Sequence, residues 1–287
     1  VKGIMKICQL EKKITEELCQ AGIEANEAAS MARILLAYKL SIGLSQLPLH
    51  RDDELDDAAI ADELAQLKAG EPLQYIIGET EFMGLTLSCT PSALIPRGDS
   101  EVVAERAIQL MQDKQSPLIA DICTGCGAYA LALAAHLQDA KIWAVDISAE
   151  ALALAAHNAQ QLQLEDRITF LKGDLLAPLS EAGMTFDLIV SNPPYIPSME
   201  LPTLPPQVRR EPAIALDGGA DGLYFYRRLA ADSDKLLNVN GLLLMEHGYD
   251  QATEIADIMS EAGFRLLEVI KDYTGHQRGS LFCCHHS

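Results

Sequence analysis

The sequence predicts an α/β protein in which a small helical domain precedes a doubly wound, mostly parallel sheet. From Pro117 onward, short apolar runs alternate with stretches of helical periodicity, and such repeated strand–helix units form parallel strands through right-handed crossovers. Before residue 75 the helical periodicity occurs alone. At 287 residues, 49% of them hydrophobic, the chain is long enough for one large domain and one small domain.

Residues 1–76 are predicted to form an all-helical domain. Their apolar residues recur at helical spacings in three groups: Ile4, Ile7, Cys8, Ile14 and Leu18; Met31, Ile34, Leu35 and Tyr38; and Ile60, Leu64 and Leu67. The acidic run Asp52-Asp53-Glu54 is expected to begin a helix, where negative charge is favourable. Gly70-Glu71-Pro72 is a stop signal that ends the domain.

Residues 77–97 are predicted to be a linker containing a β-hairpin, since residues 82–90 alternate weakly about Gly84. The larger domain is then expected over residues 98–287, with seven strands. Five of these are predicted to be parallel, at 118–123, 141–146, 168–172, 186–191 and 241–246, with helices near 127–138, 149–163 and 222–237. The last two strands, at 264–271 and 280–284, are expected to be an antiparallel pair.

Charge and composition narrow the functional classes. A net charge of −19 disfavours a nucleic-acid-binding surface, which needs clustered Lys and Arg. No apolar run is long enough to cross a bilayer, and residues 1–10 lack the extended apolar region of a signal peptide. Seven cysteines, an odd number, predict free thiols in a reducing compartment. Together these features predict a cytoplasmic protein without a membrane partner.

The most informative segment is Asn192-Pro193-Pro194-Tyr195, called here the proline turn, which directly follows a predicted strand. Proline has no N–H, so the proline carbonyls can face a pocket as acceptors for a planar NH2 group. The Asn192 carboxamide adds an acceptor, and the Tyr195 ring can pack on a flat amide or base. Taken alone, the tetrapeptide is equally compatible with an ordinary turn. However, seven of the chain's 13 prolines lie in residues 192–212, and a long loop at the carboxyl end of a sheet is usually functional.

A second loop, Cys123-Thr124-Gly125-Cys126-Gly127, called here the glycine loop, follows the first predicted strand and opens a helix. Its glycines allow close approach of a ligand, and the helix N-terminus offers free N–H groups, although dehydrogenases have similar loops. Asp146 ends the next strand and is predicted to bind both hydroxyls of a ribose, unless it only caps a helix. Asp174 is predicted to accept from an adenine amino group, with Leu175 against the ring, unless it is a simple turn residue. The glycine loop and proline turn, in this order, indicate methyl transfer from S-adenosylmethionine to an amide or amino nitrogen.

Cysteine and histidine residues give weaker signals. Cys123 and Cys126 form a Cys-x-x-Cys pair, but a zinc site needs a second pair. The other closely spaced thiols lie in Cys283-Cys284-His285-His286, and four contiguous residues do not easily surround one ion, so no metal is predicted. His247 could serve as a base, or the turn Glu246-His247-Gly248 could only shape a pocket wall.

Beyond residue 70 the chain resembles the release factor glutamine methyltransferases, often called HemK-type. Besides the glycine loop and the proline turn, five motifs carry the resemblance: Gly70-x-Pro72-x-x-Tyr75-Ile76-x-Gly78, Glu81-Phe82-Met83-Gly84-Leu85, Leu94-Ile95-Pro96-Arg97-Gly98-Asp99-Ser100-Glu101, Val208-Arg209-x-Glu211-Pro212 and Leu216-Asp217-Gly218-Gly219-x-Asp221-Gly222-Leu223. Two positions depart from the family pattern. Cys123 stands where many methyltransferases have the first loop glycine, and Gly98 where relatives often have proline.

The resemblance implies a class I S-adenosylmethionine-dependent methyltransferase domain at 98–287 and a helical substrate-recognition domain at 1–76. The implied substrate is the glutamine of the Gly-Gly-Gln loop in peptide chain release factors. The glycine loop, Asp146, Asp174, Leu175 and Asn192 would bind the cofactor. Asn192 and the Pro193 carbonyl would orient the two amide protons, with Pro194 and Tyr195 completing the substrate site.

Two other functions stay open at this point. An adenine-amino DNA or RNA methyltransferase uses the same turn on a flipped base, but it needs a basic groove, and this chain has only 22 Lys plus Arg. A non-catalytic scaffold that binds S-adenosylmethionine is disfavoured by the intact Asn192 and Asp146.

Overall fold

The computed structural model describes residues 3–284. Its Cα positions form two units, each of which is described separately. One consists of the residues up to Gly78 together with Pro205–Arg210, and the other of Glu79–Leu204 together with the residues from Glu211 onward.

The first unit is built mainly from four α-helices: α1 (Ile7–Gln20), α2 (Ala25–Leu40), α3 (Ala61–Lys68) and α4 (Leu73–Ile77). The predicted helical spacing places Leu10 and Ile14 of α1 against Leu35 and Leu36 of α2 in one core, where all four are fully buried. Glu24 begins α2 by accepting hydrogen bonds from the backbone N–H groups of residues 26 and 27, which have no partner inside the helix.

A short ribbon that the sequence analysis did not predict also belongs to this unit. β1 (Ile4–Lys6) pairs antiparallel with β2 (Glu54–Asp56). The prediction that Asp52-Asp53-Glu54 begins a helix was therefore wrong. Asp52 accepts a hydrogen bond from Lys6 at 2.8 Å, and the next helical turn starts after Asp56, whose carboxylate accepts from the N–H of Ala58. The charges of this segment carry no information about a strand partner some fifty residues away, and pairing with β1 is what makes residues 54–56 a strand.

The second unit begins with the predicted β-hairpin. β3 (Glu79–Phe82) and β4 (Leu85–Ser88) pair antiparallel. The two residues between them, Met83 and Gly84, have φ of 51° and 74°, as a two-residue turn with positive φ at both positions requires. A helix, α5 (Gly98–Met111), follows the hairpin.

The predicted doubly wound, mostly parallel, seven-stranded sheet is confirmed. Within the described residues its strands are β5 (Leu118–Ile122), β6 (Lys141–Asp146), β7 (Ile168–Lys172), β8 (Phe186–Ser191), β9 (Leu237–Glu246), β10 (Phe264–Lys271) and β11 (Gln277–Cys284). The spatial order is β10-β11-β9-β8-β5-β6-β7. The last five strands in that order are parallel, and β11 runs antiparallel to both of its neighbours.

Helices cover both faces of the sheet: α6 (Ala128–His136), α7 (Ala149–Gln161), α8 (Ala177–Glu181), α9 (Tyr224–Asp232) and α10 (Ala252–Glu261). Because side chains alternate along a strand, neighbouring strand residues lie in different cores. In the first core, Ile119, Leu188 and Leu244 pack with α5, α6 and α7. In the second core, Ala120, Ile189 and Leu243 pack with α8, α9 and α10. Residues 130–134 of α6 are all apolar and fully buried. No helix in residues 3–284 has the length and hydropathy of a membrane span.

Three helices, α5, α8 and α10, were not predicted. For α5 the signal was present, because Val103, Ala107 and Met111 recur at helical spacing and are buried in the first core. α8 has only five residues, too few for a periodicity to show.

The strand order determines where ligands can enter the second unit. β5 pairs with β6 on one side and with β8 on the other, so the chain leaves β5 in one direction and later returns to its other side. At such a switch point the loops that follow the two central strands separate and leave a crevice at the carboxyl edge of the sheet. The glycine loop follows β5, and the proline turn follows β8.

Candidate active site

A cavity of about 400 Å³ lies at this switch point. Most of the residues predicted from sequence for the site line it: Cys123, Thr124, Gly125, Cys126, Asp146, Asp174, Leu175, Asn192 and Pro194. Gly127, Pro193 and Tyr195 are next to these residues in the chain but do not line the cavity in the described part of the chain. The structure thus brings the glycine loop, the ends of β6 and β7, and the proline turn together.

The glycine loop turns through three residues with positive φ. Cys123, Gly125 and Gly127 have φ of 63°, 58° and 88°, a region that glycine enters without strain and other residues enter at a cost of about 1 kcal/mol. This explains why the position of Cys123 favours glycine in related loops. A Cβ added to Gly125 would meet nothing within 4 Å, so its backbone is open to a ligand. Gly127 instead allows the loop to pack closely against α7, because a Cβ added at this position would lie 3.1 Å from the Cβ of Ala155.

Asp121 fixes the shape of the loop from inside the protein. One carboxylate oxygen of this residue accepts hydrogen bonds from the Thr124 hydroxyl at 2.6 Å and from the Ala130 N–H at 3.1 Å, at the start of α6. Burial raises the pKa of Asp121 to about 7, and the nearby charge of Asp146 adds to this effect. The carboxyl group therefore ties the glycine loop to the helix that follows it.

Asp146 is held by the backbone, with its carboxylate in the cavity wall. Its two oxygens accept hydrogen bonds from the N–H of Gly125 at 2.8 Å and from the N–H of Ser148 at 2.9 Å. Burial raises the pKa of Asp146, while these backbone hydrogen bonds oppose the shift. Ser148, whose hydroxyl accepts from the N–H of Ala151, is the residue that caps α7. Asp146 is therefore not the residue that caps α7. A carboxylate that accepts two hydrogen bonds from the protein can accept further hydrogen bonds from a ligand.

Asp174 forms a bidentate ion pair with Arg228, with N–O distances of 2.9 and 2.8 Å. The guanidinium lies 5.5 Å from the centre of the Tyr224 ring, and all three residues line the cavity. Leu175 is buried with a φ of 51°, which turns its side chain into the cavity wall. The sequence analysis did not identify Arg228 as the partner of Asp174, because the two residues are 54 positions apart.

The proline turn presents alternate residues to the cavity. Asn192 and Pro194 line it, and the Tyr195 side chain packs against the second core, where burial raises the pKa of its hydroxyl. This alternation is the usual geometry of extended backbone. No described residue forms a hydrogen bond with the Asn192 carboxamide, which leaves its oxygen and its NH2 group available.

The glycine-rich motif at residues 216–223 holds the proline turn from behind. Ile196 donates its N–H to the carbonyl of Leu216, and Gly218 donates its N–H to the carbonyl of Ile196. A Cβ on Gly218 would lie 2.7 Å from the Cα of Tyr195, so only glycine permits this approach. The Gln251 amide then donates to the Tyr195 carbonyl at 3.0 Å.

A buried carboxylate joins two other segments that contribute to the cavity. Glu211 is 5% exposed, accepts a hydrogen bond from the N–H of Ile95 at 3.0 Å and pairs with Arg97. The segment around Ile95 contributes Leu94 and Pro96 to the cavity, and the segment after Glu211 contributes residues 214 and 215. The Arg97–Glu211 pair thus connects two parts of the cavity wall.

His247 does not line the cavity. It is fully buried, and its two ring nitrogens lie 2.8 Å from the carbonyl oxygen of Gly248 and 2.8 Å from the Ser280 hydroxyl. Burial lowers its pKa, so the ring is neutral and both nitrogens are occupied. It therefore shapes the end of β9, and the base that the sequence left open is not supplied from this position.

The Cys-x-x-Cys pair of the glycine loop consists of two free thiols. Burial raises the pKa of Cys126 to about 12 and also raises that of Cys123, which makes both unreactive thiols at neutral pH. In the described range, 3–284, no group of three His, Cys, Asp or Glu side chains could hold a metal ion. His285 and His286 of the Cys283-Cys284-His285-His286 cluster lie outside that range.

Comparison with known proteins gives the family. The model of the PrmC N-terminal domain matches residues 9–78, and the model of the methyltransferase small domain matches residues 101–202. A protein of Moorella thermoacetica named release factor glutamine methyltransferase is 41% identical over 278 residues, which cover 96% of this chain and 97% of the relative. The chain belongs to the release factor glutamine methyltransferase family. A family member from Vibrio cholerae is 37% identical over 94% of each chain.

Solved structures support the fold of this family member independently. A methyltransferase from Pyrococcus furiosus, 20% identical, superposes with a TM-score of 0.51 over 69% of this chain and 88% of that chain. At this identity the likeness concerns the methyltransferase fold alone.

Several cavity residues were missed from the sequence of this methyltransferase family member: Phe82, Ala93, Ser100, Tyr129, Ile147, Tyr224 and Phe225. Two signals could have found some of them. Ile147 directly follows Asp146, the residue predicted to bind the ribose. Tyr224 and Phe225 directly follow the glycine-rich motif.

Proposed function

We propose that this protein transfers a methyl group from S-adenosylmethionine to the side-chain amide nitrogen of the glutamine in the Gly-Gly-Gln loop of peptide chain release factors. The observation that carries the proposal is that the glycine loop and the Asn192 carboxamide open into one cavity. The names of the relatives, which cover nearly the whole chain, support the same substrate. Because release factors act in translation, we expect the reaction to take place in the cytoplasm.

The residues of the cavity fit the cofactor. Asp146 has acceptor capacity left for the two ribose hydroxyls, because its protein partners are two backbone N–H groups. Ile147 and Leu175 offer apolar surfaces for an adenine ring, and the open backbone at Gly125 leaves room for the methionine part. Asp174, already paired with Arg228, would accept from the adenine amino group through a remaining lone pair.

The substrate amide would be held by the proline turn. The cofactor supplies an electrophilic methyl group on a sulfonium. An amide nitrogen is a weak nucleophile, since its lone pair is delocalised into the carbonyl. A hydrogen bond from the amide N–H to the Asn192 side-chain oxygen would orient the nitrogen toward the methyl group and stabilise positive charge as it develops. The Pro193 carbonyl, predicted from the sequence as the second acceptor, belongs to a residue that does not line the cavity. Tyr195 would act by packing, and its position in the second core keeps the turn in place.

Incubation with a release factor and isotopically labelled S-adenosylmethionine tests this proposal. We expect one added methyl group on the loop glutamine, located by peptide mass spectrometry, and none when that glutamine is replaced by alanine. The matched enzyme control is the Asn192→Ala variant, which should give only background labelling. Label on single-stranded or duplex nucleic acid, with none on the release factor, would establish the adenine-methylating alternative instead.

We further propose that the helical unit selects the release factor. The cavity is formed entirely by residues of the second unit, and a single glutamine offers little surface, so selectivity needs contacts remote from the reacting atom. A chain that begins near Gly78 should bind S-adenosylmethionine about as tightly as the full chain and methylate a release factor roughly a hundredfold more slowly. Calorimetry with the cofactor serves as the folding control. A truncated protein with full activity would show that the helical unit has no role in recognition.

A further inference from the structure

The side chain of Glu246 is buried beside the cavity wall. It ends β9 and is 4% exposed. One carboxylate oxygen accepts a hydrogen bond from the Ser100 hydroxyl at 3.0 Å, and the other accepts from the Tyr129 hydroxyl. Ser100 and Tyr129 both line the cavity that Asn192 lines. The carboxylate is therefore separated from the cavity by a single residue on each side.

This carboxylate connects elements that are distant in the chain. Ser100 belongs to α5 and Tyr129 to α6, which are 146 and 117 positions from Glu246. The backbone carbonyl of Glu246 also accepts from the Tyr226 hydroxyl of α9 at 2.8 Å. Each of these helices supplies residues to the cavity, so one residue sets the relative position of three parts of its wall.

We propose that Glu246 is a positioning residue for methyl transfer: its ionised carboxylate holds Ser100 and Tyr129 in the cavity wall against which the reactants bind. The inference rests on the proposed function for the identity of the reaction. An ionised carboxylate accepts from both hydroxyls at once, whereas protonation adds an O–H that donates and leaves fewer acceptor sites, so the hydrogen bonds with Ser100 and Tyr129 must rearrange.

The surroundings of Glu246 place its ionisation in an accessible range. Burial raises its pKa to about 7, while the hydrogen bonds from Tyr129 and Ser100 lower it. Arg278 of β11 lowers it further, and Asp99 of α5 raises it. The other titratable groups of this region are Tyr195, Tyr226, His247 and Asp121. Asp121 has a pKa raised to about 7, Asp146 also has a raised pKa, and both line the same cavity, so an acidic limb in a pH profile could belong to any of three carboxyls.

Substitution of the hydrogen-bond donors separates Glu246 from the other two carboxyls. Tyr129→Phe and Ser100→Ala each remove a hydrogen bond that lowers the pKa of Glu246, and neither residue is a hydrogen-bond partner of Asp121 or Asp146. In the full-length protein at saturating cofactor, kcat/KM for a release factor should fall as the pH drops, and both variants should move this limb to higher pH. Glu246→Gln should remove the Glu246 part of the limb and reduce kcat roughly tenfold. The matched control is Glu268→Gln, which should leave the profile unchanged. Glu268 is a half-exposed residue of β10 that pairs with Arg106.

Infrared spectroscopy gives a second readout that does not depend on the substrate. Of the protonated-carboxyl absorption that grows near pH 7, the contribution of Glu246 should be missing from Glu246→Gln and should titrate at higher pH in Tyr129→Phe, whereas the contribution of Asp121 should stay in both variants. Superimposable pH profiles and infrared titrations of wild type and Tyr129→Phe would overturn the proposal, as would a Glu246→Gln profile that differs from wild type only by a constant factor. If no release factor is methylated, the proposed function fails, whereas the infrared titration still shows whether Glu246 ionises under the control of Tyr129.

Discussion

Asn192→Ala is expected to lower kcat for release-factor methylation about 10²- to 10³-fold, the usual loss when one preorganised polar group at a reacting centre is removed. The Asn192 carboxamide lines the cavity, and no described residue occupies it with a hydrogen bond. Its side-chain oxygen is therefore available for the substrate amide. The dissociation constant of S-adenosylmethionine, measured by calorimetry, should change by less than about threefold, since the proposed adenosine contacts are on the glycine loop and at the ends of β6 and β7.

The comparison variant is Asn192→Asp, which keeps a side-chain acceptor and should retain more activity than the alanine variant. A loss of cofactor affinity as large as the loss of kcat would contradict the assignment, because it would place Asn192 in the cofactor site alone. Equal activity of the alanine variant and wild type would exclude the turn from catalysis.

Asp146→Ala is expected to weaken S-adenosylmethionine binding by roughly 10- to 100-fold, because the ribose would lose charge-assisted hydrogen bonds worth about 1.5–3 kcal/mol. Calorimetry with S-adenosylmethionine and with S-adenosylhomocysteine separates two causes. Loss of ribose contacts weakens both ligands equally, whereas loss of a negative charge near the sulfonium weakens S-adenosylmethionine more. Since burial raises the pKa of Asp146, acidification should also weaken binding in wild type and have less effect in the variant.

Asp166→Ala is the matched control for this experiment. It removes the same charge from an exposed turn after α7, and cofactor affinity should stay as in wild type. Unchanged affinity of Asp146→Ala would show that the ribose binds elsewhere. The alanine also leaves the N–H groups of Gly125 and Ser148 without their acceptor, so the melting temperature of both variants should be compared with wild type.

The sheet and most of the predicted site residues that line the cavity could be predicted from the sequence because both depend on local patterns. A buried parallel strand is a short apolar run, and the loop after it must lie at the carboxyl edge of the sheet. Asn192 and the glycine loop were therefore predicted to share a site from their places after two strands, and the strand order then confirmed that β5 and β8 are neighbours. The predicted bounds of β6, β7, β8 and β10 agree with the structure for the same reason.

The rest depended on contacts between residues far apart in the chain, which no local pattern contains. The ribbon of β1 and β2 and the pairing of Asp174 with Arg228 are examples. Which side of the proline turn faces the cavity also depends on distant contacts. Residues 216–219 form hydrogen bonds with the chain directly after the turn, and the Tyr195 side chain packs against the second core. Glu246 shows the limit most clearly. In the sequence it is a glutamate at the end of a strand, and only the tertiary structure brings Ser100 and Tyr129 to its carboxylate, because burial and hydrogen bonding are properties of the packed chain.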